Sequence, residues 1–296
     1  MQFTGWRPED EEKDFADYCE LCQSGLLKSN VYEWKDVESQ ITAEARNPFT
    51  RPIEQAVAEL FERGKSSYAR FGKSRQETND CTSFGTGHGI DLTQVAQATR
   101  GIETEVFRTF QPWIYGVGKC LANQNSDNGM SISLALRHIT QHGVLPADLP
   151  GLPRYSGALQ KQLLAPRAGR DFFNQWKDQA VQFEIDTVRL PLDYEAWYLF
   201  SASGRGIVYG TSVRITLRNG EWAINGNWRH AMATTGRVRP RDGAIGNINS
   251  HGDGDGFMTP SVAAAVIRGS NMFGAFGIMR VARRNSTPDY SGLGGN

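Results

Sequence analysis

This sequence of 296 residues has no excess of acidic or basic residues, no long apolar stretch and few cysteines. Its 32 basic and 32 acidic residues cancel, so no overall field attracts nucleic acid or an anionic membrane. No apolar stretch approaches the ~20 residues that span a bilayer, and the acidic start, MQFTGWRPEDEEKDF, lacks the basic and apolar regions of a secretion signal. We therefore expect an aqueous compartment reached without conventional export, with no nucleic acid and no membrane as partner.

The four cysteines are too few to form a disulfide scaffold in a chain of this length. The sequence does not exclude a single disulfide bond, but reduced thiols are expected. Cys19 and Cys22 form a single CxxC pair, without the second pair that a structural zinc site needs. Cys81 and Cys120 stand alone in the sequence.

Other patterns that could bind a metal or a phosphate are incomplete. His138 and His142 have the spacing of a helical metal pair, but Ile139 stands where a zinc peptidase has glutamate, and no third ligand is evident. The acidic residues of HGDGDG do not follow the pattern of a calcium loop, and GTGHG lacks the lysine of a phosphate loop. We predict no metal and no cofactor, and two histidines on the surface.

The first part of the chain, up to about residue 180, has apolar residues at helical spacing. Three stretches carry this pattern: DEEKDFADYCELCQSGLL, PIEQAVAELFERG and NGMSISLALRHITQHGVLP. In the second stretch, Ile53, Val57, Leu60 and Phe61 are predicted to share one face of a helix.

The remainder is rich in β-branched residues and alternating apolar positions separated by glycine-rich turns. The stretches concerned are VQFEIDTVRL, RGIVYGTSVRITL, EWAINGNWRHAMATTGRV and GFMTPSVAAAVI. Helices first and strands second, without regular alternation, predict an α+β fold in which a helical half packs against a twisted antiparallel sheet, with a cleft between them.

A cysteine, a histidine and an asparagine follow one another at positions suited to thiol chemistry. Cys81 lies just before a helical stretch in NDCTSFGTGHG, where the helix N-terminus and an imidazole could lower the pKa of its thiol. His230 in NWRHAMATTGR could be the base, and Asn249 in GNINSHGDGDGF could orient it. The alternative is that these residues have structural roles only, as a buried core thiol, a strand histidine and a turn asparagine.

Four stretches of the sequence resemble segments of the papain-like cysteine peptidases, and the resemblance extends over about residues 74 to 282. QETNDCTSFG resembles the segment with the glutamine and the nucleophile, and RHAMATTGR resembles the strand that carries the base. DNGMSISLALRHITQHGVLP resembles the glycine-bearing specificity loop and its helix, and NSHGDGDGF resembles the asparagine segment.

This resemblance implies a papain-like fold and a role for each matching residue. Cys81 would be the nucleophile, His230 the base and later the acid, and Asn249 the group that orients it. Gln76 and the Cys81 N–H would stabilise the oxyanion. Residues of the specificity loop would bind substrate: Gly129, Met130 and Ser131.

The sequence also departs from the family pattern. Gln76 precedes Cys81 by one residue fewer than usual, which leaves Asn79 as an alternative donor, and His251 replaces the tryptophan that covers the histidine. Three glycines follow Cys81 in its predicted helix, at roughly 1 kcal/mol each relative to alanine, so the helix is expected to bend or to begin later.

The expected function is a thiol hydrolase that cleaves peptide or amide bonds through an acyl-enzyme. The alternative is an inactive papain-like fold that acts as a structural or interaction protein, for example in a bacteriophage particle. A third option is an amide-exchanging enzyme such as a transglutaminase. The resemblance fits a protein of the cytoplasm or of a virus particle.

Three regions are predicted. Residues 1–72 would be a helical extension that acts as a lid, a clamp or an arm that docks to assembly partners. Residues 73–284 would be the papain-like domain, helical over about 73–180 and β over about 181–284. Residues 285–296 have the polar, glycine-rich composition of a flexible tail.

Overall fold

Helices dominate the first part of the chain and strands the second, as predicted. The structure is a computed structural model that describes residues 5–24, 31–71, 75–102, 105–252 and 254–283. The predicted tail at 285–296 lies outside these residues. The α-helices are α1 Glu11–Gln23, α2 Trp34–Ala45, α3 Ile53–Glu62, α4 Cys81–Thr99, α5 Gly118–Leu121, α6 Ile132–His142, α7 Gly157–Leu163, α8 Pro166–Ala180, α9 Tyr194–Ala202 and α10 Pro260–Arg268.

The strands within the described residues form one sheet in the order β1-β2-β7-β3-β4-β5-β6, which is mostly antiparallel and does not close into a barrel. Their bounds are β1 Val31–Glu33, β2 Phe183–Arg189, β3 Ile207–Arg218, β4 Glu221–Arg239, β5 Ala244–Asn249, β6 Gly254–Met258 and β7 Ser270–Arg283. A π-helix, Trp113–Val117, runs directly into α5.

Successive residues of the central strands enter different cores, because side chains alternate between the two faces of a sheet. On β3, Val208 belongs to a core formed with α4, α6 and the π-helix. Its neighbours Ile207 and Tyr209 face a second core, which is completed by Trp197 of α9 and by α10. The sheet is therefore covered on both faces, as its long apolar strands require.

Helix α4 lies directly on the sheet and begins at Cys81, so the prediction of a later start is wrong. Its residues 81–98 are all buried. A Cβ on Gly85 would lie 3.1 Å from the Met232 carbonyl oxygen, and one on Gly89 would lie 2.7 Å from a Val208 methyl group. The glycines thus allow the helix to approach β3 and β4 closely.

Two local predictions need correction. Phe61 does not share the buried face of α3: its exposed fraction is 46%, whereas Ile53, Val57 and Leu60 are buried. The stretch GFMTPSVAAAVI is a strand only as far as Met258. A proline in its first turn and an alanine-rich sequence then favour helix α10.

The N-terminal part of the described chain packs against the rest at several places. Strand β1 pairs with β2, and α1 packs against α6. Arg205, which is 7% exposed, donates to the carboxylate of Glu44 on α2 and to the Met279 carbonyl oxygen (2.9 Å). The assignment of residues 1–72 as a lid, clamp or arm stays a prediction.

Candidate active site

Cys81 stands at the N-terminus of α4 and is fully buried. Its Sγ accepts a hydrogen bond from the backbone N–H of Ala231, at 3.3 Å. Ala231 directly follows His230 on β4, so the start of α4 and this part of the sheet meet at the predicted nucleophile. Asp80 precedes Cys81, and burial raises the pKa of its carboxyl to about 6.

His230 and Asn249 lie on the neighbouring strands β4 and β5, whose register pairs Ala233 with Ile248. The Nε2 atom of His230 is 2.7 Å from Oδ1 of Asn249. Both residues are buried, and the Nδ1 atom of His230 has no hydrogen-bond partner among the described residues. The sheet thus holds the imidazole through its Nε2 atom.

Two aromatic rings cover this histidine. The ring centroids of Trp228 and His251 are each 4.5 Å from that of His230, and 5.7 Å from one another. The sequence analysis missed Trp228, although its place two residues before His230 on a strand predicts the same face. Trp228 and His251 thus both lie against the imidazole of His230.

The predicted oxyanion donor Gln76 links the cysteine segment to the end of β5. Its backbone N–H donates to the Ser250 carbonyl oxygen at 2.8 Å, and its Oε1 accepts from the Ser250 hydroxyl. Its Nε2 donates to the Thr78 carbonyl oxygen at 3.0 Å, and the Asn79 amide donates to the Asp127 carbonyl oxygen at 2.8 Å. Each side-chain amide thus already has one local acceptor.

The predicted substrate-binding loop forms what we call the wall beside Cys81, since the hydroxyl of the next residue, Thr82, donates to the Met130 carbonyl oxygen at 2.8 Å. Tyr115 of the π-helix accepts the Gly129 N–H at 3.1 Å, and the ammonium of Lys119, which is buried, donates to the Gly129 carbonyl oxygen. Burial lowers the pKa of Lys119 to about 8. Ser131 caps α6, since its hydroxyl accepts the Leu134 N–H at 3.1 Å. The loop is therefore held in place by the π-helix, α5 and α6.

The wall is occupied by residues 5–14 of the same chain, which we call the cover segment. Met130 donates its N–H to the Gly5 carbonyl oxygen at 2.8 Å and accepts the Arg7 N–H at 3.3 Å. A Cβ on Gly5 would lie 2.9 Å from the Cys81 Sγ and 2.3 Å from the Asn79 carbonyl oxygen. The backbone at Gly5 thus lies directly over the thiol, where only glycine fits.

Acidic side chains fix the cover segment and α1 to helix α6. Glu11 is fully buried, and its carboxylate accepts the N–H of Ile132 at 2.6 Å and that of Ser133 at 3.1 Å. Asp14 accepts the Ser131 hydroxyl. One turn further on, Asp17 of α1 pairs with Arg137 at 3.0 Å. This anchoring was not anticipated from the sequence.

Burial disfavours the charged forms of both predicted catalytic groups. Burial raises the pKa of the Cys81 thiol to about 12, although the N–H groups of Ala231 and Gly5 favour the thiolate. Burial, and next the neighbouring His251, lower the pKa of His230 to about 3. In this arrangement the site holds a thiol and an uncharged imidazole rather than an ion pair.

Among the described residues, the candidates for metal ligands are not gathered into a site. In the described part of the chain, no group of three or more histidine, cysteine, aspartate or glutamate side chains could hold a metal ion. The expectation of surface histidines is wrong for His138, which is buried 5.2 Å from the Trp113 ring. No described helix has the length and apolar character needed to cross a membrane.

Comparisons with known proteins give matches in structure only. No family model and no curated protein matches the chain. Xylellain, a cysteine protease from Xylella fastidiosa, is 17% identical with a TM-score of 0.48, covering 78% of this chain and 91% of its own. Digestive procathepsin L 3 from Tenebrio molitor larval midgut is 10% identical with a TM-score of 0.43, covering 91% and 88%.

The fold assignment rests on the clostridial cysteine protease Cwp84, in its form after propeptide cleavage. It is 15% identical with a TM-score of 0.51, and the match covers 76% of this chain and 58% of that enzyme. At such identity the likeness concerns the fold alone. Helices on an open, twisted antiparallel sheet agree with it, and the chain therefore has a divergent papain-like fold.

Proposed function

We propose that the protein is a latent thiol hydrolase that cleaves peptide or amide bonds. The observation that carries the proposal is the buried bond between His230 Nε2 and Asn249 Oδ1, on strands that meet the start of α4 at Cys81. An oriented base beside a thiol at a helix N-terminus is the arrangement that activates a nucleophilic cysteine.

In this mechanism the free Nδ1 of His230 takes the proton of Cys81, and the thiolate attacks the substrate carbonyl carbon. The oxyanion of the tetrahedral intermediate would accept hydrogen bonds from the Cys81 N–H and from the side-chain amide of Gln76 or Asn79. Protonated His230 then gives its proton to the leaving amine, which departs as the acyl-enzyme forms. Water deprotonated by His230 releases the acid and restores the thiol.

The wall beside Cys81 supports a peptide as the substrate. Met130 offers one N–H and one C=O to an extended backbone. The N–H now donates to Gly5, and the C=O accepts the Arg7 N–H beside the Thr82 hydroxyl. Main-chain pairing of this kind gives affinity for peptides with little dependence on their side chains. Gly129 and Ser131, which flank Met130, are the other proposed contacts.

Latency is proposed because the cover segment occupies the place of a substrate. The Gly5 carbonyl oxygen is already held by the N–H of Met130 at 2.8 Å and faces the Thr82 hydroxyl at 3.4 Å. Water and substrate reach Cys81 only after residues 5–7 leave. Their departure would hydrate both groups, lowering the pKa of Cys81 and raising that of His230.

The experiment compares Cys81 in full-length Trp6→Ala, whose cover is weakened, with the same chain carrying His230→Ala. Iodoacetamide labelling is followed by peptide mass spectrometry from pH 5 to pH 9, beside digestion of labelled casein. We expect Cys81 to react faster than Cys19 and Cys22 at mildly acidic pH only when His230 is present. Casein digestion should disappear in Cys81→Ala and persist in Cys22→Ala.

The mechanism is wrong if there is no pH between 5 and 9 at which Cys81 in Trp6→Ala reacts faster than Cys19. It is also wrong if the Cys81→Ala chain still digests casein. The second candidate, an inactive papain-like module such as a bacteriophage structural protein, is favoured by the protonated, fully buried thiol. It predicts that Cys81→Ala preserves folding and assembly and changes nothing else.

A further inference from the structure

The cleft contains a pocket for an aromatic ring that the cover segment fills with Trp6. This side chain is 3% exposed and belongs to the same core as Cys81, Met130 and Ala231. A Cβ on Gly210 of β3 would lie 2.1 Å from the Trp6 ring. The absence of a side chain at Gly210 therefore makes the space for the indole.

A second pocket adjoins the first and holds a carboxyl group. Glu11 Oε1 accepts the Ile132 N–H at 2.6 Å, and Oε2 accepts the Ser133 N–H at 3.1 Å and the Ser133 hydroxyl at 2.8 Å. Across from these donors, a Cβ on Gly274 of β7 would lie 3.2 Å from Oε1. Ile132, Ser133 and Gly274 form what we call the carboxyl cradle.

The cradle is more than the end of a helix. Helix α6 has its own cap in Ser131, so Glu11 takes two N–H groups that this cap leaves over, together with a hydroxyl. The occupant comes from far along the chain and is fully buried. The indole Nε1 of Trp6 donates to Glu11 Oε1 at 2.8 Å, so ring and carboxyl group contact one another across the two pockets.

We propose that the carboxyl cradle and the indole pocket at Gly210 together form a binding site for a peptide ligand in which an aromatic ring contacts a carboxyl group, and that the cover segment is its internal substitute. The inference rests on the proposed function, because it names the ligands of the same cleft. Opening of the cleft removes Glu11 from the donors of Ile132 and Ser133, and a carboxyl group of the ligand takes its place.

The cradle distinguishes a carboxyl group from an amide. Both oxygens of the carboxyl group accept hydrogen bonds from backbone N–H groups. An amide at this place would turn its NH₂ group toward one of those N–H donors, or leave a buried donor unpaired. A glutamine in place of Glu11 should therefore bind about tenfold more weakly or worse.

The test uses the full chain with Trp6→Ala, Glu11→Ala and Cys81→Ala, which empties both pockets and removes the nucleophile. A synthetic copy of residues 2–14, QFTGWRPEDEEKD, is titrated into it by calorimetry at mildly acidic pH. We expect this peptide to bind, and its Glu11→Gln and Trp6→Ala versions to bind at least about tenfold more weakly. Glu12→Gln is the matched control, since it removes the same charge from an exposed residue and should leave binding unchanged.

Two results would overturn the inference. One is equal affinity of the unaltered and the Glu11→Gln peptides, and the other is no binding of the unaltered peptide up to its solubility limit. Because the titrated chain lacks Cys81, binding does not depend on thiol chemistry. If the peptides bind as expected but the Trp6→Ala chain does not digest casein, the hydrolase is rejected and the binding site is kept. If casein is digested but the peptides do not bind as expected, the hydrolase is kept and the binding site is rejected.

Discussion

Replacing Trp6 by alanine should expose Cys81 without unfolding the protein. Trp6 is 3% exposed and belongs to a core whose other buried members lie outside the cover segment. Removal of a buried tryptophan side chain costs about 3–5 kcal/mol. Because the lost contacts join the cover segment to the cleft, most of this cost lowers the free energy needed to detach the segment.

The effect on labelling follows from that free energy. When iodoacetamide reacts only with the open state, the rate is proportional to the open population, which increases about tenfold for every 1.4 kcal/mol. Trp6→Ala should therefore raise the labelling rate of Cys81 about 10²- to 10³-fold at fixed pH. The measurement is the rate for each cysteine, followed by peptide mass spectrometry.

Cys120 serves as the internal reporter because it is 1% exposed and its thiol donates to the Pro166 carbonyl oxygen at the start of α8, at 3.6 Å, rather than to the cover segment. Global unfolding exposes Cys81 and Cys120 together, whereas detachment of the segment exposes Cys81 alone. Trp176→Ala is the matched control, since Trp176 is 7% exposed in α8. Its loss should accelerate both thiols in parallel.

The reasoning fails if Trp6→Ala leaves the labelling rate of Cys81 unchanged. It also fails if Cys81 and Cys120 accelerate by the same factor in Trp6→Ala, because the segment would then detach only when the whole domain unfolds. Labelling that resembles the Trp176→Ala control in both cysteines would identify that second case.

Three further perturbations test other parts of the structure. Burial raises the pKa of Glu11 from 4.5 to about 7, so this carboxyl contributes stability below about pH 4.5 that is lost as the pH rises through about 7. The loss is about 3 kcal/mol and should be absent from urea unfolding of Glu11→Gln; identical pH profiles would contradict it. Gly210→Ala should also raise the labelling rate of Cys81, because the new Cβ would lie 2.1 Å from the Trp6 ring and displace it; an unchanged rate would show that the pocket is not tight. Arg205→Met should lower the free energy of unfolding by roughly 2 kcal/mol, since the Met279 carbonyl oxygen loses its guanidinium donor and the Glu44 carboxylate is left with the Gln40 amide, while the labelling ratio of Cys81 to Cys120 stays constant.

The sequence was most informative where local pattern and geometry coincide. The stretch NGMSISLALRHITQHGVLP was predicted to be helical, and it contains α6, in which Ile132, Leu136 and Ile139 are buried. His230 and Asn249 were selected by their order and surroundings, and the register of β4 with β5 brings them to 2.7 Å. Strands that follow one another along the chain usually pair, so such a contact is predictable.

Contacts between distant parts of the chain could not be predicted in the same way. Glu11 reads as one of several acidic residues in the first turn of a helix, a place where a carboxylate is favourable anyway. Its burial depends on donors of α6, more than a hundred residues away. Trp6 likewise reads as a lone aromatic residue, and nothing in its surroundings points to Gly210.

The carboxylates of the cover segment also bear on how the cleft could open. Detachment leaves the N–H groups of Ile132 and Ser133 without Glu11, and an apolar pocket without Trp6. Water can bond the donors but cannot replace the indole, so spontaneous opening is costly. A ligand with an aromatic ring beside a carboxyl group would satisfy both pockets as it enters. Exchange of the cover for such a ligand therefore needs less free energy than opening alone, and the ligand would itself promote exposure of Cys81.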